Sequence, residues 1–74
     1  MMQPDDIKQM IERGLPGARV SVTGDGHHFE AEVITSEFTG KSMLQRHQIV
    51  YRALGSKMGN EIHALSLRTQ APGE

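Results

Sequence analysis

Arg19-Val20-Ser21-Val22-Thr23-Gly24-Asp25-Gly26-His27-His28-Phe29-Glu30-Ala31-Glu32-Val33-Ile34 is the stretch that decides the fold. Val20 and Val22 alternate with polar neighbours, and Phe29, Ala31 and Val33 alternate with Glu30 and Glu32. Such a period of two marks half-buried strands. Between the two runs, Gly24-Asp25-Gly26 is turn chemistry, because Asp and Gly accept positive φ more readily than other residues. Residues 19–24 and 28–34 are therefore predicted to form an antiparallel hairpin. Glu30 and Glu32 fall together on its outer, solvated face.

Upstream, Pro4 and Asp5 suit the first turn of a helix, where proline is tolerated and carboxylates meet the positive end of the dipole. Ile7, Met10 and Ile11 then recur at i, i+3 and i+4, and Gly14 ends the helix before Leu15-Pro16-Gly17. Downstream, residues 35–40 form a loop containing Phe38. A helix follows whose apolar stripe is predicted to include Met43, Leu44, His47, Val50, Tyr51 and Leu54. Gly55 and Gly59 suggest a stop with a short extra turn. Residues 62–69 read as a third strand, in which Leu65 and Leu67 alternate with Ser66 and Arg68, and 70–74 as a tail.

The order is helix, strand, strand, helix (broken), strand. A helical crossover between the second and third strands makes them parallel neighbours. The expected fold is α+β, a three-stranded mixed sheet with helices packed on one face. The 74 residues make one domain, with its core at about 4–69.

Composition narrows the function. Hydrophobic residues are 36%, so the core is thin, and Cys is 0. That excludes a disulfide scaffold, a thiolate zinc site and any cluster held by this chain's own thiolates. The formal charge of -1 gives no global footprint for nucleic acid. Neither a signal peptide nor a membrane segment is expected. No nucleophile elbow, HExxH pattern or complete dinucleotide fingerprint supports catalysis, so the chain is not expected to be an enzyme.

Two features carry potential chemistry. The first is histidine: His27 and His28 follow the hairpin turn, His63 begins the last strand, and His47 lies in the helical stripe as a packed residue. His27 and His28 read most simply as exposed polar residues at a turn. A pair such as His28 and His63, brought together by the fold, would bind a metal but leave its other positions to ligands from elsewhere. The second is charge: residues 38–59 contain Lys41, Arg46, Arg52 and Lys57 and no Asp or Glu, a local +4. Nucleic-acid-binding KH domains share this element order but clamp the backbone with a GxxG loop between helices. The one GxxG here, Gly14 to Gly17, precedes the first strand. Solvated helix flanks are the simpler reading of these cations.

Four motifs in order resemble the BolA family, over about residues 7–69: Val22-Thr23-Gly24-Asp25-Gly26-His27-His28-Phe29, Ser36-Glu37-Phe38-Thr39-Gly40-Lys41, Leu44-Gln45-Arg46-His47-Gln48-Ile49-Val50-Tyr51 and Ile62-His63-Ala64-Leu65-Ser66-Leu67. The Asp-Gly-x-His-Phe turn is most similar to the short bacterial IbaG/YrbA-like branch. The resemblance implies an αββααβ fold related to type II KH domains. It also implies a non-enzymatic, cytoplasmic partner of monothiol glutaredoxins, acting in iron-sulfur and iron homeostasis and in stress responses. In that picture the two proteins share a bridging [2Fe-2S] cluster. His63 and His28, with His27 the alternative to His28, are the metal ligands on this chain. A glutaredoxin Cys and a glutathione thiol supply the rest. Imidazole in place of thiolate raises the reduction potential. The isolated chain is expected to carry no cofactor and to be a monomer or weakly self-associating. The alternative implied by the family is a KH-like transcriptional regulator contacting DNA through Lys41, Arg46, Arg52 and Lys57.

Overall fold

A computed structural model describes all 74 residues. Helix α1, Pro4–Gly14, starts where the Gln3 backbone N–H donates to the Asp6 carboxylate at 2.9 Å, and proline occupies its first position. Strands β1 (Arg19–Gly24) and β2 (His28–Ile34) have the predicted bounds and pair antiparallel. A 3-10 turn at Ser36–Phe38 leads to α2, Met43–Leu54. A reciprocal cap opens α2: Gln45 N–H donates to Ser42 Oγ at 3.2 Å, and Ser42 N–H donates to Gln45 Oε1 at 2.9 Å. The third helix of the expected αββααβ order takes the form of one 3-10 turn, Gly55–Lys57, before β3 at Ala64–Gln70.

The sheet order is β1-β2-β3, with β2 and β3 parallel. Parity then sorts the side chains. Val20, Val33 and Thr69 form one row across the sheet, Val22, Ala31 and Leu67 the next, and Gly24, Phe29 and Leu65 the third. These rows face the helices, where Ile7 and Ile11 of α1 and Val50 and Leu54 of α2 complete the core with Phe38 and Ile62. Burying each large apolar side chain contributes roughly 1.5–3 kcal/mol, so a core of 11 buried residues leaves little in reserve. The opposite face carries Ser21, Thr23, Glu30, Glu32, Ser66 and Arg68, and it has the expected solvated character.

Three expectations need correction. The third strand begins at Ala64, because Ile62 is drawn into the core by a separate bridge to Met58. In α2, Met43 and Leu44 are 65% and 67% exposed and Tyr51 is exposed too, so the buried stripe is narrower and centres on Val50 and Leu54. The first turn of α2 extends past the core, which periodicity alone does not register. Residues 70–74 are no loose tail. Gln70 ends β3 and its carbonyl accepts from Thr35 N–H at 3.1 Å, Ala71 is buried, and Glu74 bonds Arg46.

Candidate functional site

The loop joining β1 to β2 is organised by one carboxylate. Asp25 Oδ1 accepts the backbone N–H groups of both His27 and His28, each at 2.9 Å, and Asp25 N–H donates to the His28 carbonyl at 3.2 Å. This is an aspartate turn of the kind that Asp-Gly sequences favour. The His28 amide, and after it the His27 amide, hold the Asp25 carboxyl below the usual carboxylate range. A smaller desolvation opposes them and the charge of His28 adds to them. Gly24 has no room for a side chain, since a Cβ there would lie 2.5 Å from the His28 carbonyl oxygen and 2.6 Å from the Phe29 ring. Gly26 supplies the positive φ of 98° that turns the chain.

His63 arrives from the other side. Beyond the Gly55–Lys57 turn, Ile62 N–H donates to the Lys57 carbonyl at 2.9 Å and Gly59 N–H to the Ile62 carbonyl at 2.8 Å. With Ile62 fully buried, His63 emerges into solvent immediately before β3. The parallel register pairs His28 with Ala64. Adjacent strands are about 4.8 Å apart, so the backbones of His28 and His63 are near neighbours at one end of the sheet. Continued one residue back, the same register sets His27 opposite His63. All three imidazoles are exposed, and the bonds that shape the loop are made by backbone groups and the Asp25 carboxylate.

The donor set therefore consists of imidazoles only. No three His, Cys, Asp or Glu side chains are grouped to hold a metal ion. A tetrahedral metal or a cluster iron requires more donors than this edge provides. The residues fit such a group as one side of a shared site, since their exposure leaves room for a second molecule's ligands. His47 stands apart. It is half-buried on α2, its ring meets Tyr51 edge-on at 6.3 Å, and its Nε2 has no partner.

Two of the four basic residues are engaged in ion pairs. Arg46 Nη1 and Nη2 donate to the two carboxylate oxygens of Glu74 at 2.6 and 2.7 Å, its Nε donates to the Lys41 carbonyl at 2.9 Å, and its guanidinium lies 5.9 Å from the Phe38 ring centroid. Lys57 pairs with Glu61 at 3.0 Å. Lys41 in the loop before α2 and Arg52 near its end stay exposed. Glu61 and Glu74, both outside the segment that reads as +4, thus offset half of its charge.

Residues missed at the sequence level are Asp25 as the organiser of the histidine loop and Glu74 as the partner of Arg46. The first had a signal in the Asp-Gly pair. The second had none, because the partners are 28 residues apart.

The family model for BolA-like proteins matches residues 9–74. The chain belongs to the BolA family. Among its relatives is the acid stress protein IbaG of Escherichia coli, 32% identical over 74 residues, which cover 99% of this chain and 88% of the relative. Human BolA-like protein 1 is 36% identical over 62 residues, covering 84% of this chain. The chain spans less than half, 45%, of that human protein's length. Among solved structures, a bolA protein homologue from Coxiella burnetii is 56% identical with a TM-score of 0.88, covering 97% of this chain and 94% of that one. The solution structure of yeast Fra2 is 30% identical with a TM-score of 0.77, covering 92% and 77%. The BolA fold thus accounts for the hairpin, the parallel third strand and the helices on one face. No helix is long and apolar enough to cross a membrane.

Proposed function

We propose that this BolA-family chain is a non-enzymatic adaptor that binds a monothiol glutaredoxin and contributes imidazole ligands, from His28 and His63, to a [2Fe-2S] cluster shared between the two proteins. The single observation that supports this reading is the parallel pairing of His28 with Ala64, which brings the backbones of His28 and His63, two exposed residues from remote parts of a cysteine-free chain, close together at one end of the sheet. A shared site explains the incomplete donor set: this chain offers nitrogen, and the glutaredoxin Cys and a glutathione thiol offer sulfur. His27 is the alternative donor to His28, as the continued register sets it opposite His63.

When bound, the cluster supplies an electron-accepting iron whose potential imidazole ligation raises relative to all-thiolate ligation. The chain's own task is positional. The strand pairing holds the backbone of the two histidines at a fixed separation, and burial of Phe29 and Ile62 anchors each histidine to the core through its neighbour. Glutathione and ferrous iron are components of a reducing compartment, which supports a cytoplasmic setting. The likeness to an acid stress protein supports a part in stress responses.

The test is to mix the chain with a monothiol glutaredoxin, glutathione, iron and sulfide under anaerobic conditions and record visible absorption and circular dichroism. The spectrum is expected to differ from that of the glutaredoxin alone, and His63→Ala is expected to return it to the glutaredoxin-only form. An unchanged spectrum in His63→Ala overturns the ligand assignment. The rival reading, DNA binding through the basic residues, has lost Arg46 and Lys57 to Glu74 and Glu61.

A further inference from the structure

Asp25 does more than turn the chain. Its Oδ1 receives two backbone amides, those of His27 and His28, in a bifurcated arrangement with both distances at 2.9 Å. These bonds fix the two peptide planes that flank His27, immediately before β2 begins. The return bond from Asp25 N–H to the His28 carbonyl closes the loop, so His28 is held by Asp25 at its donor and at its acceptor. Neither neighbouring glycine makes up for the loss of that carboxylate, because Gly26 has positive φ and Gly24 must stay close to the His28 carbonyl. An exposed hairpin tip held this way keeps one geometry without a buried side chain of its own.

The carboxylate is joined to the histidines through their backbone amides, so it orients the loop that carries them and not an imidazole directly. Metal-ligating imidazoles are commonly oriented by a carboxylate that they do not share with the metal.

We propose that Asp25 is the positioning residue of the site, fixing the backbone of the β1–β2 loop so that the His28 imidazole is presented beside His63 for metal ligation. The proposal rests on the cluster-sharing reading above. It adds that the ligand geometry is preset by a side chain that need not touch the metal.

Two variants test it. Asp25→Ala removes both acceptor oxygens, whereas Asp25→Asn keeps an acceptor in place without the charge. In the isolated chain, amide hydrogen exchange of His27 and His28 is expected to be roughly 10-fold or more faster in Asp25→Ala, while the amides of Ala31 and Val33 in the sheet stay protected. With glutaredoxin and glutathione, the cluster-bridged complex of Asp25→Ala is expected to be weaker by roughly 10-fold or more, the usual loss for an outer-shell partner, with altered visible circular dichroism. Asp25→Asn is expected to recover most of the amide protection and part of the affinity. If wild type forms the complex and Asp25→Ala forms it equally well with the same spectrum, Asp25 has no positioning role and the cluster reading survives. If wild type forms no complex, that reading fails and the ligation role of Asp25 fails with it. Unchanged exchange at His27 and His28 in Asp25→Ala overturns the proposal in the isolated chain.

Discussion

Arg46 and Glu74 form a two-pronged ion pair, Nη1 to Oε1 at 2.6 Å and Nη2 to Oε2 at 2.7 Å, that ties residues 71–74 to the first turns of α2. Geometry of this kind is stronger and more specific than a single contact. Glu74 Oε1 also accepts the backbone N–H of Ala71 at 3.0 Å, so one carboxylate closes its own turn and holds a cation from a remote helix. The buried Ala71 beneath this turn is the structural consequence.

The pair gives stability a defined acid limb. Arg46, and after it the Ala71 amide, hold the Glu74 carboxyl down to about 2 from an ordinary value of 4.5. A depressed carboxyl contributes stability that is fully present above its unfolded value and is lost as pH falls through its folded one. Urea unfolding midpoints measured from pH 6 to pH 2 are therefore expected to fall more steeply in wild type than in Glu74→Gln between about 4.5 and 2. The two proteins should converge at the acid end. Parallel curves across that window would show that the pair adds nothing to folding.

Gly14 of α1 packs directly against Ala53 of α2. A Cβ built there lies 2.7 Å from the Cβ of Ala53 and 3.3 Å from its Cα. Alanine in place of glycine normally favours a helix by about 0.5–1 kcal/mol, but forcing a methyl into packed space costs about 1–3 kcal/mol. Gly14→Ala is thus expected to lower the urea midpoint, and Ala53→Gly on that background to relieve the steric part. A Gly14→Ala variant as stable as wild type would mean that α1 and α2 separate at little cost.

Much of this fold is legible in sequence because its signals are local. The Asp25-Gly26 turn sits between two alternating runs, and the hairpin bounds follow directly. The backbone proximity of residues 28 and 63 is legible once the crossover makes β2 and β3 parallel, since that pairing brings residues 28 and 64 side by side. What escapes is long-range. Periodicity gives the azimuth of Met43, Leu44 and Tyr51 on α2, yet all three are exposed, which the packing of the whole chain decides. Pro72 and Gly73 suggest a frayed end, and nothing near them announces that Arg46 will hold Glu74. The +4 of residues 38–59 is likewise offset from outside that segment, by Glu61 and Glu74.

For DNA, the expected outcome is weak and shallow. Phosphate contacts make affinity fall with salt in proportion to the number of cations engaged. With Arg46 and Lys57 paired to carboxylates, Lys41 and Arg52 are the two cations of this segment left without such a partner. Filter binding across a salt series should give a slope of about two contacts or fewer, and Arg46→Ala should not reduce it. A steep slope that Arg46→Ala and Lys57→Ala each diminish would restore the nucleic-acid interface and show that the ion pairs open on binding.

The two adjacent histidines separate by where each sits. His28 is the first residue of β2, its Cα paired with Ala64 and its amide held by Asp25, whereas His27 lies in the bend before the strand. Asp25 holds the amides of both residues, so the difference lies in the ladder pairing, which constrains His28 and not His27 and lowers the entropy cost of ordering the ligand at His28. His28→Ala is expected to remove the chain's contribution to the visible circular dichroism of the glutaredoxin complex, as His63→Ala does, while His27→Ala retains it. Protons compete with the metal for the imidazole lone pair, so acid should weaken the wild-type complex. The variant lacking both His28 and His63 should show none of that additional acid sensitivity. Loss of the signal in His27→Ala with retention in His28→Ala would assign the ligand to the bend, in line with the register that sets residue 27 opposite residue 63.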